Sequence, residues 1–383
     1  MHLLAAIAGI LFLAIVLVDA FQTIVLPRRP RSRYRLTRYF YILTWTPWSA
    51  FTRRIQQRRI RETLYSIYGP GSLLLLLVVW ALMILTGFAF IYFALGSPFT
   101  DPAHGHLVPT CLYVSGTTLF TLGLGDVVPR TLAARALLVL ESGTGLGFVA
   151  LVIGYLPVVY QAFARREVAI ALLDARAGSP PSAGELLRRH AFTSPGCTAK
   201  DGTAALIVLL EEWERWSADL LESHISYPLL CYYRSQHDNQ SWLSAVVAML
   251  DTCALLMACV QDATARQAQL TFAMSRHALV DLAQVFNRAP FTPSACMDRL
   301  SGGRFQQLVD QLQQYGIPLH VDPASIERFR ALRAMYEPHA CALSVYLQID
   351  LPQWFANPDA RDSWQTVART QSATSAHAGA DEH

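Results

Sequence analysis

The sequence predicts an all-α membrane protein: three transmembrane helices, a re-entrant helix and loop between the second and third, and a helical cytoplasmic C-terminal domain. Three observations predict it. Of the 383 residues, 53% are hydrophobic and only 15% charged, against about 25% charged in a typical globular domain. The stretches 1–26, 71–96 and 132–163 are each long and apolar enough to cross a bilayer core, which takes about 20 residues. A further stretch, Val108–Phe120, is apolar but spans only roughly 20 Å as a helix, too short to cross.

Within the first stretch, Leu3–Leu26 is apolar except for Asp19, Gln22 and Thr23. A signal peptide is the competing reading, but there is no basic leading region and the apolar run exceeds the usual ~7–15 residues. A first transmembrane helix, residues 1–26, is therefore expected. Asp19 is expected to pair with nearby arginines or to cap the turn that follows. The helix lacks the repeated arginines of a voltage sensor.

The linker, residues 27–70, sets the orientation. From Arg28 to Arg61 it holds eleven arginines and no lysine, with Glu62 just beyond. Cationic loops stay on the cytoplasmic side, so the N-terminus is placed outside, residues 97–131 outside, and everything after residue 165 in the cytoplasm of a multi-pass plasma-membrane protein. Tyr34, Tyr39, Phe40, Tyr41, Trp45, Trp48 and Phe51 share the linker with the arginines. That mixture suits a segment lying on the anionic lipids of the inner leaflet. Its position between two spans argues against a nucleic-acid partner.

Residues 71–96, the outer helix, carry no charge. Val108–Phe120 then leads into Thr121-Leu122-Gly123-Leu124-Gly125-Asp126. Irregular backbone survives at membrane depth only when buried in protein or lining a watery path. Carbonyls coordinating a bare cation must all point to one axis, whereas a regular strand alternates them. Glycine at every second position permits the left-handed conformations that realign them. Thr121 would add a hydroxyl ring at the inner end, and Leu122 and Leu124 would pack behind the loop. The preceding helix would aim its negative C-terminal end at the ion, and Asp126 would stand at the outer mouth, attracting cations.

These residues resemble the pore region of the potassium-channel superfamily: a single-pore-loop, two-span pore domain of bacterial type, here with an extra N-terminal helix. The family filter reads T-V-G-Y-G-D; this chain reads T-L-G-L-G-D, followed by Val127-Val128-Pro129. Leu124 stands where the family commonly has a tyrosine whose hydroxyl tethers the filter, and a G-L-G filter is similar to that of some two-pore-domain channels. The resemblance covers residues 71–165: outer helix 71–96, pore helix 108–120, filter 121–126 and inner helix 132–163. It implies passive potassium permeation, Thr121, Leu122, Gly123, Leu124 and Gly125 as the ion-binding residues, and a homotetramer, since four loops enclose an ion where one cannot. It implies no cofactor and no metal beyond the permeating ion. A weakly selective cation channel and a non-conducting membrane sensor or scaffold are the alternatives.

The inner helix carries Gly143, Gly145, Gly147 and Pro157. Proline kinks a helix and frees a carbonyl, and the resemblance implies Gly145, with Pro157, as candidates for a gating hinge; close packing of small residues is the equal alternative for Gly145. Gly143–Gly147 reads G-x-G-x-G but lacks the βαβ context of a nucleotide loop. Glu141 lies near the bilayer midplane, where a carboxylate marks a functional site by default. It faces either the cavity or the rear of the filter, bonded there to Thr117 or Thr118 or paired with Arg135. The second is expected, because the filter without its tyrosine needs another brace.

Residues 166–366 read as a helical cytoplasmic domain, with apolar faces at helical spacing in Leu206–Leu221, Gln269–Phe286, Arg304–Tyr315 and Ile326–Met335. Trp242–Val260 is apolar enough for a fourth span, but Asp251 at its centre favours a buried core helix. An unknown ligand or protein partner at this domain stays open. His224, His237, Asp238, His277 and Asp281 are expected to make ordinary polar contacts rather than hold a metal. The seven cysteines (Cys111, Cys197, Cys231, Cys253, Cys259, Cys296, Cys341) form no C-x-x-C pair and are expected as buried thiols. No arrangement of side chains supports an enzyme. Residues 367–383, rich in Ala, Ser and Thr, are expected to be disordered.

Overall fold

A computed structural model describes residues 1–26, 35–96, 98–100, 107–191, 199–236, 239–260, 264–286, 290, 299–300 and 302–355. The linker arginines Arg28, Arg29, Arg31 and Arg33, the residues His237 and Asp238, and the tail 367–383 lie outside them. The chain forms two compact units, residues 1–161 and 162–383.

The first unit begins with α1 (His2–Ala20), which ends in a π-helical turn, Phe21–Val25. Then come α2 (Leu36–Arg53) and α3 (Arg58–Ala94). A two-residue strand β1 (Phe99–Thr100), the short helix α4 (Leu107–Leu119), strand β2 (Val128–Pro129) and the long helix α5 (Leu132–Ala177) follow. Two helices exceed the spans read from composition: α3 starts at Arg58 rather than Gly71, and α5 continues to Ala177. Apolarity marks where lipid ends, whereas the arginine- and glutamate-bearing turns beyond it are good helix formers.

Small residues let α1 and α3 touch. A Cβ on Gly9 would collide with the Gly87 backbone carbonyl, the close approach that drives helix pairs together in lipid. Asp19, 3% exposed, closes this pair at the C-terminal end of α1. It accepts from the Trp80 indole at 3.1 Å and from the Thr37 hydroxyl at 2.5 Å and amide at 3.2 Å. The amide belongs to the first turn of α2, so a carboxylate from α1 caps another helix and satisfies a donor that has no partner within α2. The hydrogen bonds of Asp19 follow the capping expectation; the charge of Asp19 also acts on Arg35, whose guanidinium bonds Thr23 at 2.8 Å.

Helix α2 carries large apolar residues on its outward side as well as its buried one. Phe40, Tyr41 and Trp45 are buried, with Trp45 against Tyr65 and Tyr68 of α3. Tyr39, Ile42, Leu43 and Phe51 point outward and are exposed.

The second unit contains the end of α5, then α6 (Ala183–Ala191), α7 (Ala199–Ser226), a 3-10 turn Pro228–Tyr232, α8 (Trp242–Cys259), α9 (Thr264–Val285), α10 (Gly302–Gln314), α11 (Pro323–Ala334) and α12 (Glu337–Leu347). Helix α8 is its core, packed by α6, α9, α11 and α12. Asp251, fully buried on α8, receives a bidentate pair from Arg299 at 2.7 and 2.9 Å and the Tyr336 hydroxyl. Arg299 also reaches Glu337 at 2.9 Å, which Arg333 bonds in turn. Near the start of this unit, Arg166 is buried and donates to the carbonyls of Leu230 and Tyr233, each at 2.9 Å, and to His224 at 3.2 Å. His277 pairs with Asp281 at 3.4 Å. Cys111, Cys231, Cys253 and Cys259 are buried free thiols; Cys341 departs from that expectation and is disulfide-bonded.

Candidate functional site

The site is built where α4 stops. Its last turn closes with the Thr121 amide on the Thr118 carbonyl at 3.0 Å and the Leu122 amide on the Thr117 carbonyl at 2.7 Å. These two bonds define a Schellman ending, whose left-handed position is normally glycine. Here that position is Thr121, at φ 55°. A β-branched residue in this region is an outlier, costing on the order of 1–3 kcal/mol. Glycine would adopt the same turn without the cost but would bring no hydroxyl. Gly123 and Gly125 follow at φ 55° and 76°, so every second residue of the loop is left-handed, the alternation that turns successive carbonyls toward a common side. Thr117 thus contacts the loop through its carbonyl, while its hydroxyl turns back to the Val114 carbonyl at 3.0 Å.

The loop exit is pinned from both sides. Thr100 and Phe99 pair with Val128 and Pro129 in a minimal antiparallel ladder, and the Arg130 amide adds a bond to the Pro98 carbonyl at 2.8 Å. Asp126 accepts from the Tyr113 hydroxyl of α4 at 2.8 Å. A tyrosine does tether this loop, but it projects from the helix to the acid rather than from Leu124 to the helix.

Glu141 is 0% exposed. Tyr92 of α3 donates to it at 2.8 Å and Ser115 of α4 bonds its other oxygen; Ser115 also lies 2.8 Å from the Leu85 carbonyl. The carboxylate therefore joins α3, α4 and α5 through neutral hydroxyls. The expected partners were different ones: Thr117 is engaged elsewhere, and Arg135 points to the Pro129 carbonyl at 3.4 Å. Position explains this, since Ser115 rather than Thr117 or Thr118 stands on the side of α4 that meets Glu141.

Gly145 is a packing glycine. A Cβ there would overlap the Leu119 carbonyl oxygen at the end of α4, whereas one on Gly143 or Gly147 would meet nothing within 4 Å. Pro157 lies inside α5. Leu122 and Leu124 are each 64% exposed, so this chain's own residues do not back the loop as expected from sequence. Tyr92, Tyr113 and Ser115 were missed by sequence reasoning. Tyr92 sits where aromatic residues usually read as interface anchors, and a lone serine in an apolar helix carries no signal of its partner.

Four described helical stretches are long and apolar enough to cross a membrane: His2–Val25, Arg58–Ala94, Leu132–Ala177 and Trp242–Cys259. With almost no strand among the described residues, the fold defines an all-α membrane protein. Residues 78–162 match a family model described as "Ion channel". The match runs from within α3 through α4 and the loop to α5; it supports an ion channel and points away from an enzyme. No curated protein and no solved structure matches the chain.

Proposed function

We propose that the chain is one subunit of a homotetrameric channel that passes potassium passively through the carbonyls of Thr121, Leu122, Gly123, Leu124 and Gly125. The observation that carries this reading is the left-handed conformation at Thr121, Gly123 and Gly125 at the C-terminal end of a short apolar helix. Thr121 keeps its hydroxyl at a position where glycine is favoured, which fits an oxygen ligand. Leu122 and Leu124, exposed in one chain, are covered when four chains assemble around the loop. Asp126, held by Tyr113, stands at the outer mouth, and Glu141 braces α4 from behind. The arginine linker and the outward apolar face of α2 rest on anionic lipid of the inner leaflet, with the N-terminus outside and the second unit in the cytoplasm.

Full-length protein in liposomes tests this. Ion flux with a reversal potential that follows the potassium gradient is the expected result, abolished in Gly123→Asp. A reversal potential that follows sodium equally makes the pore a weakly selective cation channel. No flux from protein that is folded and inserted makes the chain a sensor or scaffold.

A further inference from the structure

A cavity of about 320 Å³ lies between α10 and α11 in the second unit, within the range of small-molecule sites, about 300–1,000 Å³. Leu300, Phe305, Ile326 and Phe329 give it an apolar wall, and the Phe305 and Phe329 rings stack with their centroids 5.1 Å apart. Gln306 also lines it and is engaged with Asp310 at 2.9 Å. The charged side chains among the lining residues are both arginines, Arg330 and Arg333.

The two arginines differ in what holds them. Arg333 is buried, lies over the Phe329 ring and bonds Glu337, which Arg299 also reaches. Arg299 pairs in turn with Asp251, so these two cations face two carboxylates. Arg330 stands outside that balance. It meets Glu327 at 3.9 Å, with the two side chains 65% and 77% exposed, a pairing worth little in water. The same corner is short of acceptors. Trp354 packs on both Phe329 and Arg333, and its indole N–H, like Nε of Arg299, is buried with no acceptor among the described residues.

We infer that this cavity binds a small aromatic carboxylate, its ring against Phe305 and Phe329 and its carboxylate on Arg330. Aromatic side chains in the wall offer a ring the offset or edge contacts that such pairs favour. A guanidinium is a planar fork that matches a carboxylate, and Arg330 is the one lining cation whose donors a ligand can take without breaking the Arg333–Glu337 pair. A neutral ligand of the same shape gains the wall alone, and a cationic one meets like charge. Every residue involved lies in the second unit, so binding stands or falls independently of ion flux.

Equilibrium dialysis of cinnamate against the full-length chain in neutral detergent, with empty micelles as the blank, tests this. Saturable binding at one site per chain is expected, about tenfold tighter than cinnamyl alcohol or cinnamylamine, as one hydrogen bond to a charged group supplies. Arg330→Gln should weaken cinnamate by about the same factor and leave the alcohol unchanged, with melting as in the wild type because the side chain is exposed; Arg330→Lys should recover part of the loss. Ile326→Trp, which fills the cavity, should abolish binding of both acid and alcohol. Where that variant melts lower than the wild type, the Arg330 variants decide alone. The inference is overturned by the absence of saturable binding, by equal affinity for acid and alcohol, or by cinnamate binding that Arg330→Gln leaves unmoved.

Discussion

The most apolar stretch of α8 is 89% buried inside the chain and that of α5 only 11%, although both are apolar enough to cross a membrane. Apolar sequence says that water is excluded; it does not say what excludes it. The acid within each apolar stretch does distinguish them. Asp251 on α8 is met by the guanidinium of Arg299, a full ion pair supplied by its own unit. Glu141 on α5 is met by the neutral hydroxyls of Tyr92 and Ser115, and most of the apolar stretch of α5 stays uncovered by its own chain. The second unit closes on itself, while the first is finished by its surroundings.

The largest expected break in this contrast is Arg299→Ala. It leaves Asp251 buried and unpaired, and should destabilise the second unit by about 3–5 kcal/mol, read as a lower melting temperature of the detergent-solubilised chain. Unchanged melting would mean that the ion pair does not hold α8 in place. Gly145→Ala comes next. Overpacking against the Leu119 carbonyl should cost about 1–3 kcal/mol and reduce flux, while Gly143→Ala and Gly147→Ala stay within about 0.5 kcal/mol. A Gly145→Ala protein of normal stability whose open probability alone falls would restore the hinge reading.

Acid sharpens the contrast in the second unit. Burial, and then the charge of Arg166, hold His224 well below the usual imidazole range; burial also lowers His190 and His339. Such a histidine is neutral in the fold and protonates when unfolded. For His224 that contribution is therefore full above about pH 6.5 and is lost as pH falls below it, by about 1.4 kcal/mol per pH unit while the folded imidazole stays neutral. Melting at pH 7.5 and 5.5 should differ in the wild type and differ less in His224→Gln; equal slopes would discount His224. The smallest effect is Tyr113→Phe, which removes a single exposed hydrogen bond to Asp126. It should leave melting nearly unchanged while lowering the potassium-to-sodium permeability ratio. An unaltered ratio would show that Asp126 needs no tether.

How far the sequence carried depended on the range of each interaction. Periodicity and charge located the membrane segments, because both are local along the chain. Gly123 and Gly125 announced left-handed backbone, since glycine is the residue that adopts it freely. Thr121 did not, because only the closing turn of α4 forces it there. The brace at Glu141 was foreseen as a need, but its partners come from residues 26 and 49 positions away, and no pattern ties a tyrosine at the end of one span to an acid in another. Composition likewise could not show that α3 and α5 run past the lipid, nor that Gly145 is held small by a carbonyl.

The clamp at Asp19 has a consequence in the order of synthesis. The carboxylate belongs to α1, which is made before α2 and α3, while two of its donors come from Thr37 and one from Trp80, which emerge later. Until α3 is made, α1 carries an acid without these donors near its C-terminal end. Threading of α1 is thus completed by α3: the Gly9–Gly87 crossing brings the pair together and the indole of Trp80 reaches Asp19. A stop in translation before Trp80 leaves α1 as a provisional span, and the arrival of the second fixes it in place.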